Sequence, residues 1–337
     1  MNRLLVVLLI ISLLSINGFA YGPRGHQLVG AIADRRLKKN EAVADKVRDL
    51  LDGMTLQRAA TLPDEIKGWQ CGTEPSGPNR INRELQAFIN ANCGNKPSHN
   101  FFHFTDVPVK GNEDYDDGEI GRAPFDIVQM IPFCIRVLKG EVPETNEHAI
   151  TKSIAVILLT HYLGDIHQPL HVGAEFFDAD GNPFHPTPAN KGFEDQGGNK
   201  LTLFTFMNGR RVSAGKFHGY WDSQTVENAF GNTQNSKVAQ RLAAKKPDNW
   251  ELTGGIETWA EQLANDILPI AREAHDRLQY KDIVIEPGKR DIISGRADEK
   301  RHRSGGTFYA VWASDVVKEE IHKGGWRLAA LLEQALQ

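Results

Sequence analysis

A mainly α-helical single domain, with a few short strands in its connections, is what this sequence predicts, and three observations predict it. The run Ile154-Ala155-Val156-Ile157-Leu158-Leu159 is apolar on every face, as a helix buried at the centre of a domain must be. Residues 259–278 and 314–336 repeat apolar side chains at helical spacing. No internal repeat or low-complexity linker divides the chain, so its length fills one large core.

The elements follow in order. Residues 1–20 read as a signal peptide: Arg3 supplies positive charge, Leu4 to Leu14 is apolar, and Gly18-Phe19-Ala20 is a small-residue cleavage site. That apolar run is short for a membrane span, and no later segment replaces it. The expected product is a secreted or periplasmic monomer, residues 21–337, without stable membrane association. Helices are expected over Gly25–Leu37 and Glu41–Leu51, with a further helix entry at Ala59–Ile66, where Asp64 follows Pro63 in the first turn. Residues 72–97 carry many turn formers and read as a surface excursion with one helical turn at Arg83–Ile89. Phe101–Val107 reads as a short extended segment and Gly111–Gly121 as an acidic loop. Helices over Phe125–Leu138 and His148–His167 follow, then a loop over Phe176–Gly198, a strand at Leu201–Phe206 and a helical region opening at Gly215. Lys289 to Arg303 reads as a solvated, loop-like excursion of mixed charge. The last helix is expected to break at Gly324-Gly325.

Lys and Arg number 39 against 43 Asp and Glu, a formal net charge of −4. Such a balance exerts no general pull on nucleic acid or anionic membrane, so any positive charge at a site must be local. Of the three cysteines, Cys71 and Cys93 can pair in an oxidising compartment, leaving Cys134 free within an apolar helix. No Cys-x-x-Cys occurs, and no Asn-x-Ser/Thr acceptor.

His161 and Asp165 are four residues apart on the apolar helix and therefore share one face. A buried imidazole over a buried carboxylate needs a strong partner. Either the two form a hydrogen-bonded pair in the core, or, with His171 arriving beyond Pro169, they hold a divalent metal, zinc first. His218 and Asp222 repeat the spacing. Asp64 and His103 can complete a second ligand group, and His26 stands near the mature start. His167 is out of phase with His161 and at most supports the ligands. His99, His148, His185, His275, His302 and His322 lie in polar or loop surroundings and read as solvated side chains.

In order along the chain stand Tyr21-Gly-x-x-Gly-His26, Leu62-Pro63-Asp64-Glu65, Phe102-His103-Phe104, Thr160-His161-x-x-Gly164-Asp165-x-His167-Gln168-Pro169-Leu170-His171, Gly197-Gly198-Asn199, His218-x-x-Trp221-Asp222 and Gly325-Trp326-Arg327-Leu328-Ala329. Together they resemble the S1/P1 family of zinc-dependent single-strand nucleases, whose multi-helix fold is shared with zinc phospholipase C. The resemblance implies three Zn²⁺ in a trinuclear site. One would be held by Asp64, His103, His161 and Asp165, a second by His171, His218 and Asp222. The third would take His26, Asp165 and the terminal amine and carbonyl of Tyr21, where the family usually has Trp. Asp64 and Asp165 are then the candidate catalytic carboxylates, with Asp165 bridging two ions. The implied reaction is in-line hydrolysis of single-stranded DNA or RNA to 5′-phosphate products, accompanied by 3′-nucleotidase activity. Phe104 matches the family's base-stacking aromatic, although core packing is equally open to it. Asp126 can meet a base edge or serve as the acid at a helix N-terminus. Gly197-Gly198-Asn199 predicts a tight turn beside the metals. A zinc phospholipase C is the competing enzyme, disfavoured because Asp222 is Asp where those enzymes use Glu. A secreted zinc-binding protein without catalysis is the competing non-enzyme.

Overall fold

The computed structural model describes residues 21–207, 209–286, 288–300 and 306–337. The expected signal peptide, and Arg301, His302 and Arg303, lie outside the described residues. The helices, in chain order, are α1 (Gly22–Leu37), α2 (Glu41–Leu50), α3 (Leu56–Ala59), α4 (Leu62–Glu65), α5 (Arg80–Ala91), α6 (Ile127–Lys139) and α7 (Lys152–Asp165). They continue with α8 (Phe217–Gly219), α9 (Thr225–Phe230), α10 (Asn235–Ala244), α11 (Trp259–Asp276) and α12 (Tyr309–Ala335). The expected mainly α domain is what the structure contains, and no helix among the described residues is long and apolar enough to cross a membrane.

Helix α7 is the axis. Thr151 caps it by accepting from the Ile154 amide, and every residue from Ser153 to Asp165 is buried. It packs against α1, α3, α4, α5, α6 and α12, so its even, all-round hydrophobicity is matched by neighbours on every side. α1 and α12 lie against each other more extensively than any other helix pair. There the expected break at Gly324-Gly325 is absent. A Cβ on Gly325 would stand 2.5 Å from the Ile32 Cβ, and one on Gly324 would stand 3.1 Å from the Leu163 carbonyl. The glycines let three helices approach closely instead of ending one.

Strands occupy the connections. Strands β1 (Val107–Pro108) and β2 (Gly173–Ala174) pair in parallel, and β3 (Phe176–Phe177) pairs antiparallel with β4 (Phe193–Glu194). A four-stranded sheet has the order β6-β5-β8-β7, from β5 (Leu201–Met207), β6 (Arg210–Lys216), β7 (Leu278–Ile285) and β8 (Ile292–Glu299). The β5–β8 pair is parallel and its two flanking pairs are antiparallel. Lys289 to Lys300 is therefore largely a strand and not a loop. Arg296 pairs with Asp282 and Asp298, and Arg211 and Lys281 meet Asp298 as well, which removes these cations from any free basic surface.

Two further expectations are corrected. Residues 80–91 form a full helix, because Asn79 caps it and Ile81, Leu85, Phe88 and Ile89 supply a buried stripe. Residues 99–103 form a 3₁₀ turn, and the extended backbone begins only at Phe104. The disulfide Cys71–Cys93 is present, and Cys134 is free and buried.

His99, His275 and His322 are buried and His148 is half-buried, against the solvated reading; His185 is exposed as expected. Their partners are remote in sequence: His322 meets the carbonyls of Leu242 and Lys245, and His275 Nδ1 stands 2.6 Å from the Tyr280 hydroxyl. Burial, with Lys110 nearby, takes the His275 imidazole down to about 3. A group whose folded pKa is depressed below its unfolded value of about 6.5 binds its proton more readily when unfolded. The stability of its neutral form is thus full above pH 6.5 and is lost as the pH falls toward 3. His275→Leu should lower stability at pH 7.5 yet flatten its fall between pH 6 and pH 4 by about 1.4 kcal/mol per pH unit. Urea unfolding of both proteins across that range measures it; equal slopes would contradict the assignment.

Candidate metal centre

The candidate ligands converge at the C-terminal end of α7. Asp64 sits in α4, started by Pro63, and His103 ends the 3₁₀ turn His99–His103. His171 ends the turn Pro169–His171, which bends the chain away from α7. His218 lies in α8, and a five-residue π-helical turn, Tyr220–Gln224, carries Asp222 onto the same face. Such bulges recur at functional sites because they re-aim a side chain within a helix. His26 comes from α1 and stacks flat on His161, ring centroids 3.8 Å apart at 10°. A Cβ at Gly164 would lie 2.6 Å from His26 Nδ1, so that position of the motif keeps the imidazole's seat open.

The central carboxylate is Asp165, fully buried. His26 Nε2 stands 3.2 Å from its Oδ1, while His103 Nδ1 and His161 Nε2 stand 2.9 and 3.2 Å from its Oδ2. Among the described residues, three groups have geometry that could hold a metal ion: Asp64/His103/His161, His26/His161/Asp165 and His171/His218/Asp222. The last is the expected trio. The first two draw on the expected residues and share His161. Tyr21 is the N-cap residue just before α1, with its ring buried and its hydroxyl donating to the His167 carbonyl, and its own carbonyl accepts from the Gly25 amide. His167 stays outside the three groups: its Nδ1 donates to the Leu163 carbonyl and its Nε2 accepts from Arg327.

The donor chemistry fits cations. His161, His171 and His218 each donate Nδ1–H to a carbonyl, those of Ala60, His103 and Gly197, at 2.7 to 2.8 Å. On His171 and His218, whose imidazoles burial keeps neutral, this leaves Nε2 as a bare lone pair. Yet those two Nε2 atoms face each other at 3.1 Å, while His161 Nε2 stands 3.0 Å from His103 Nδ1 and 3.2 Å from Asp165 Oδ2. Lone pairs directed at one another in a dry site repel unless a cation lies between them. Oδ2 of Asp222 and Nδ1 of His26 are buried without a hydrogen-bond partner. Burial drives the His103 and His218 imidazoles down to about 3, so both are neutral ligands at ordinary pH. Burial opposes ionisation of Asp64, but His161 and Lys67 outweigh it and bring the carboxyl to about 2. Burial, with the charges of Asp64 and Asp165 behind it, pushes Asp222 well above the usual carboxylate range against the Gln168 hydrogen bond. A nearby divalent ion is what would hold Asp222 ionised.

A cavity of about 530 Å³ opens onto the cluster at His103, His171 and His218. Phe101, Phe104 and Phe125 contribute its aromatic walls, and Lys67, Asp106, Asp126 and Asn199 its polar ones. Phe104 is half-buried and lines this cavity. Asp126 also lines the cavity, but its carboxylate accepts from the Ala123, Val128 and Gln129 amides and from the Tyr115 hydroxyl. It is thus occupied as the cap of α6. Two cleft residues escaped the sequence reading. Lys67 reaches Asp64 Oδ1 at 2.7 Å, and its spacing of three from Asp64 was the available signal. Asp106, buried two residues beyond Phe104, gave none beyond that proximity.

A helical shell surrounds a buried histidine–aspartate cluster that could hold metal ions and opens to a cleft with aromatic walls. A family model for S1/P1 Nuclease matches residues 21–337, and the chain belongs to that family; it is a nuclease, a hydrolase acting on nucleic acids. Among Arabidopsis thaliana proteins, Endonuclease 3 is 23% identical over 348 residues, covering 98% of this chain and 95% of that protein. Endonuclease 4 is 25% identical over 337 residues, covering 95% and 90%. Endonuclease 1 is 23% identical over 342 residues, covering 99% and 93%.

Gln168 holds the cluster from behind: its Nε2 donates to Asp222 Oδ1 at 2.9 Å while its Oε1 accepts from the Leu170 amide. Partners of this kind carry about 10- to 100-fold in metal affinity. Gln168→Leu should lose that much at the His171/His218/Asp222 group, as read by metal titration of chelator-stripped protein.

Proposed function

We propose that this nuclease hydrolyses single-stranded DNA and RNA endonucleolytically, leaving 5′-phosphates, and also removes 3′-phosphates from nucleotides, using three zinc ions. The single observation that carries the metal reading is the pair of tautomer-fixed imidazoles, His171 and His218, whose Nε2 atoms are aimed at one another in a buried pocket. Asp64, His103, His161 and Asp165 would hold one ion and His171, His218 and Asp222 a second. His26, Asp165 and the backbone of Tyr21, with its freed amine, would hold the third. Asp165 has one oxygen facing His26 and the other facing His103 and His161, an arrangement suited to a bridging carboxylate. Bound zinc supplies Lewis-acid charge and a nucleophile at neutral pH, suited to in-line attack on phosphorus.

The chain's own groups would select and seat the substrate. Lys67 stands at the cleft beside Asp64, placed to neutralise a phosphate oxygen. Phe104 offers a ring face to an unpaired base, and Asp106 offers a carboxyl to its edge. The ligands are almost wholly shielded from solvent, with His103, His171 and Asp222 no more than 3% exposed. A strand locked in a duplex cannot bring its phosphates into such a recess, whereas an unstacked nucleotide can. The net charge of −4 adds no general pull on nucleic acid. An exported setting suits the apolar leader and the Cys71–Cys93 disulfide.

The test is an assay on single-stranded DNA, RNA, duplex DNA, a 3′-nucleotide and phosphatidylcholine, with and without chelator. Chelator-sensitive cleavage of the single strands in preference to duplex is the expected result; activity on lipid alone would sink the reading. Asp165→Asn should lose the closely spaced metals and essentially all turnover, and near-normal metal content and rate would contradict it. Protein retaining one extra residue before Tyr21 should bind less zinc and be strongly impaired. Parity with correctly processed protein would remove the terminal amine from the ligand set.

A further inference from the structure

The 3₁₀ turn His99–His103 sorts its side chains sharply. His99, Phe102 and His103 turn inward: Phe102 is fully buried against Phe88, Phe125 and His148, and His99 packs on Phe88. Phe101 turns outward and is 52% exposed, although it is flanked by one of the most buried rings in the domain. Among the described residues its one ring contact is with Phe104, centroids 6.2 Å apart at 66°. Both rings line the cavity that opens onto the metal centre, with Asn100 exposed beside them. The backbone beneath Phe101 is fixed. Its amide donates to the Ser98 carbonyl at 2.9 Å, the His99 amide donates to the Asn92 carbonyl, and the His103 carbonyl accepts from ligand His171. A half-exposed phenylalanine on a rigid turn is thus held at the cleft mouth without contributing much to the core.

We propose that Phe101 and Phe104 form a two-ring platform that seats two neighbouring bases of a single strand, Phe101 taking the base next along from the one on Phe104. This rests on the reading of the cleft as a single-strand nucleic-acid site and adds a second nucleobase subsite to it. The occupant is a base and not an acyl chain or a peptide. The rings stand edge to face, so each offers a separate flat face, and Lys67 lies in the same wall for the connecting phosphate. Arg122, the other cation of this cavity, is engaged by the carbonyls of Asp114, Tyr115 and Ile120.

The experiment compares processed wild-type protein with Phe101→Ala, Phe101→Leu and Phe101→Tyr. Substrates are a thymidine dinucleotide and its two abasic versions, each lacking one base. Phe101→Ala should lower kcat/KM roughly tenfold on the full dinucleotide, mainly through KM, and on the one abasic version that keeps the Phe101-side base. On the other abasic version the loss should be less than twofold, because the base that Phe101 would hold is already gone. Phe101→Leu should behave as Phe101→Ala, and Phe101→Tyr should restore the wild-type pattern, with zinc content and thermal midpoint unchanged throughout. Equal losses on all three substrates, or none on the full dinucleotide, would overturn the platform while leaving the nuclease reading in place. Wild-type protein inert on every substrate would overturn that reading and the platform together.

Discussion

The structure depends on one costly arrangement: a carboxylate wholly out of water, Asp165, ringed by three imidazoles from three separate parts of the chain. A buried charge of this kind is tolerated only where its partners are held in place and share their polarity with it. Much of the fold can be understood as that holding. α7 presents Asp165 and His161 one turn apart, α1 stacks His26 over His161, and the turn ending at His103 closes the third side.

Orientation matters as much as proximity. Three candidate ligands have their ring tautomer set by main-chain carbonyls, one of which belongs to another candidate ligand, His103. The His103 carbonyl fixes His171, and the Gly197 carbonyl fixes His218, so the backbone that lines the pocket also aims its side chains. Gln168 does the same for Asp222. The motif residues between the ligands are therefore part of the centre. Gly164 leaves room for one imidazole, Pro169 turns the chain, and Gly197 supplies an acceptor in a turn with φ +55°.

How legible this was from sequence differs by feature. The convergence of the candidate residues was readable where a short motif's spacing converts directly into a shared helix face: His161 and Asp165, then His218 and Asp222. The central helix was readable from its uniform hydrophobicity. What was not readable depended on partners distant in the chain. Gly324-Gly325 looks like a helix break until Ile32 and Leu163 are known to press against it. His99, His275 and His322 look solvated until Phe88, Tyr280 and the Leu242 carbonyl are brought to them. The charges around β8 look like a loop because their alternation resolves only when Arg211, Lys281 and Arg296 gather on Asp298. Lys67 was overlooked because a lysine three residues past an aspartate is ordinary on any helix surface.

The contact between the two ends of the chain has a consequence for biosynthesis. α1 carries His26 and lies along α12, whose Arg327 reaches His167, whose carbonyl in turn receives the Tyr21 hydroxyl. α1 therefore has no completed wall until α12 has been made. Vectorial synthesis can fold segments as they appear, but the side of α1 that faces α12 is covered only late, so the seat of His26 is among the last parts of the domain to be finished.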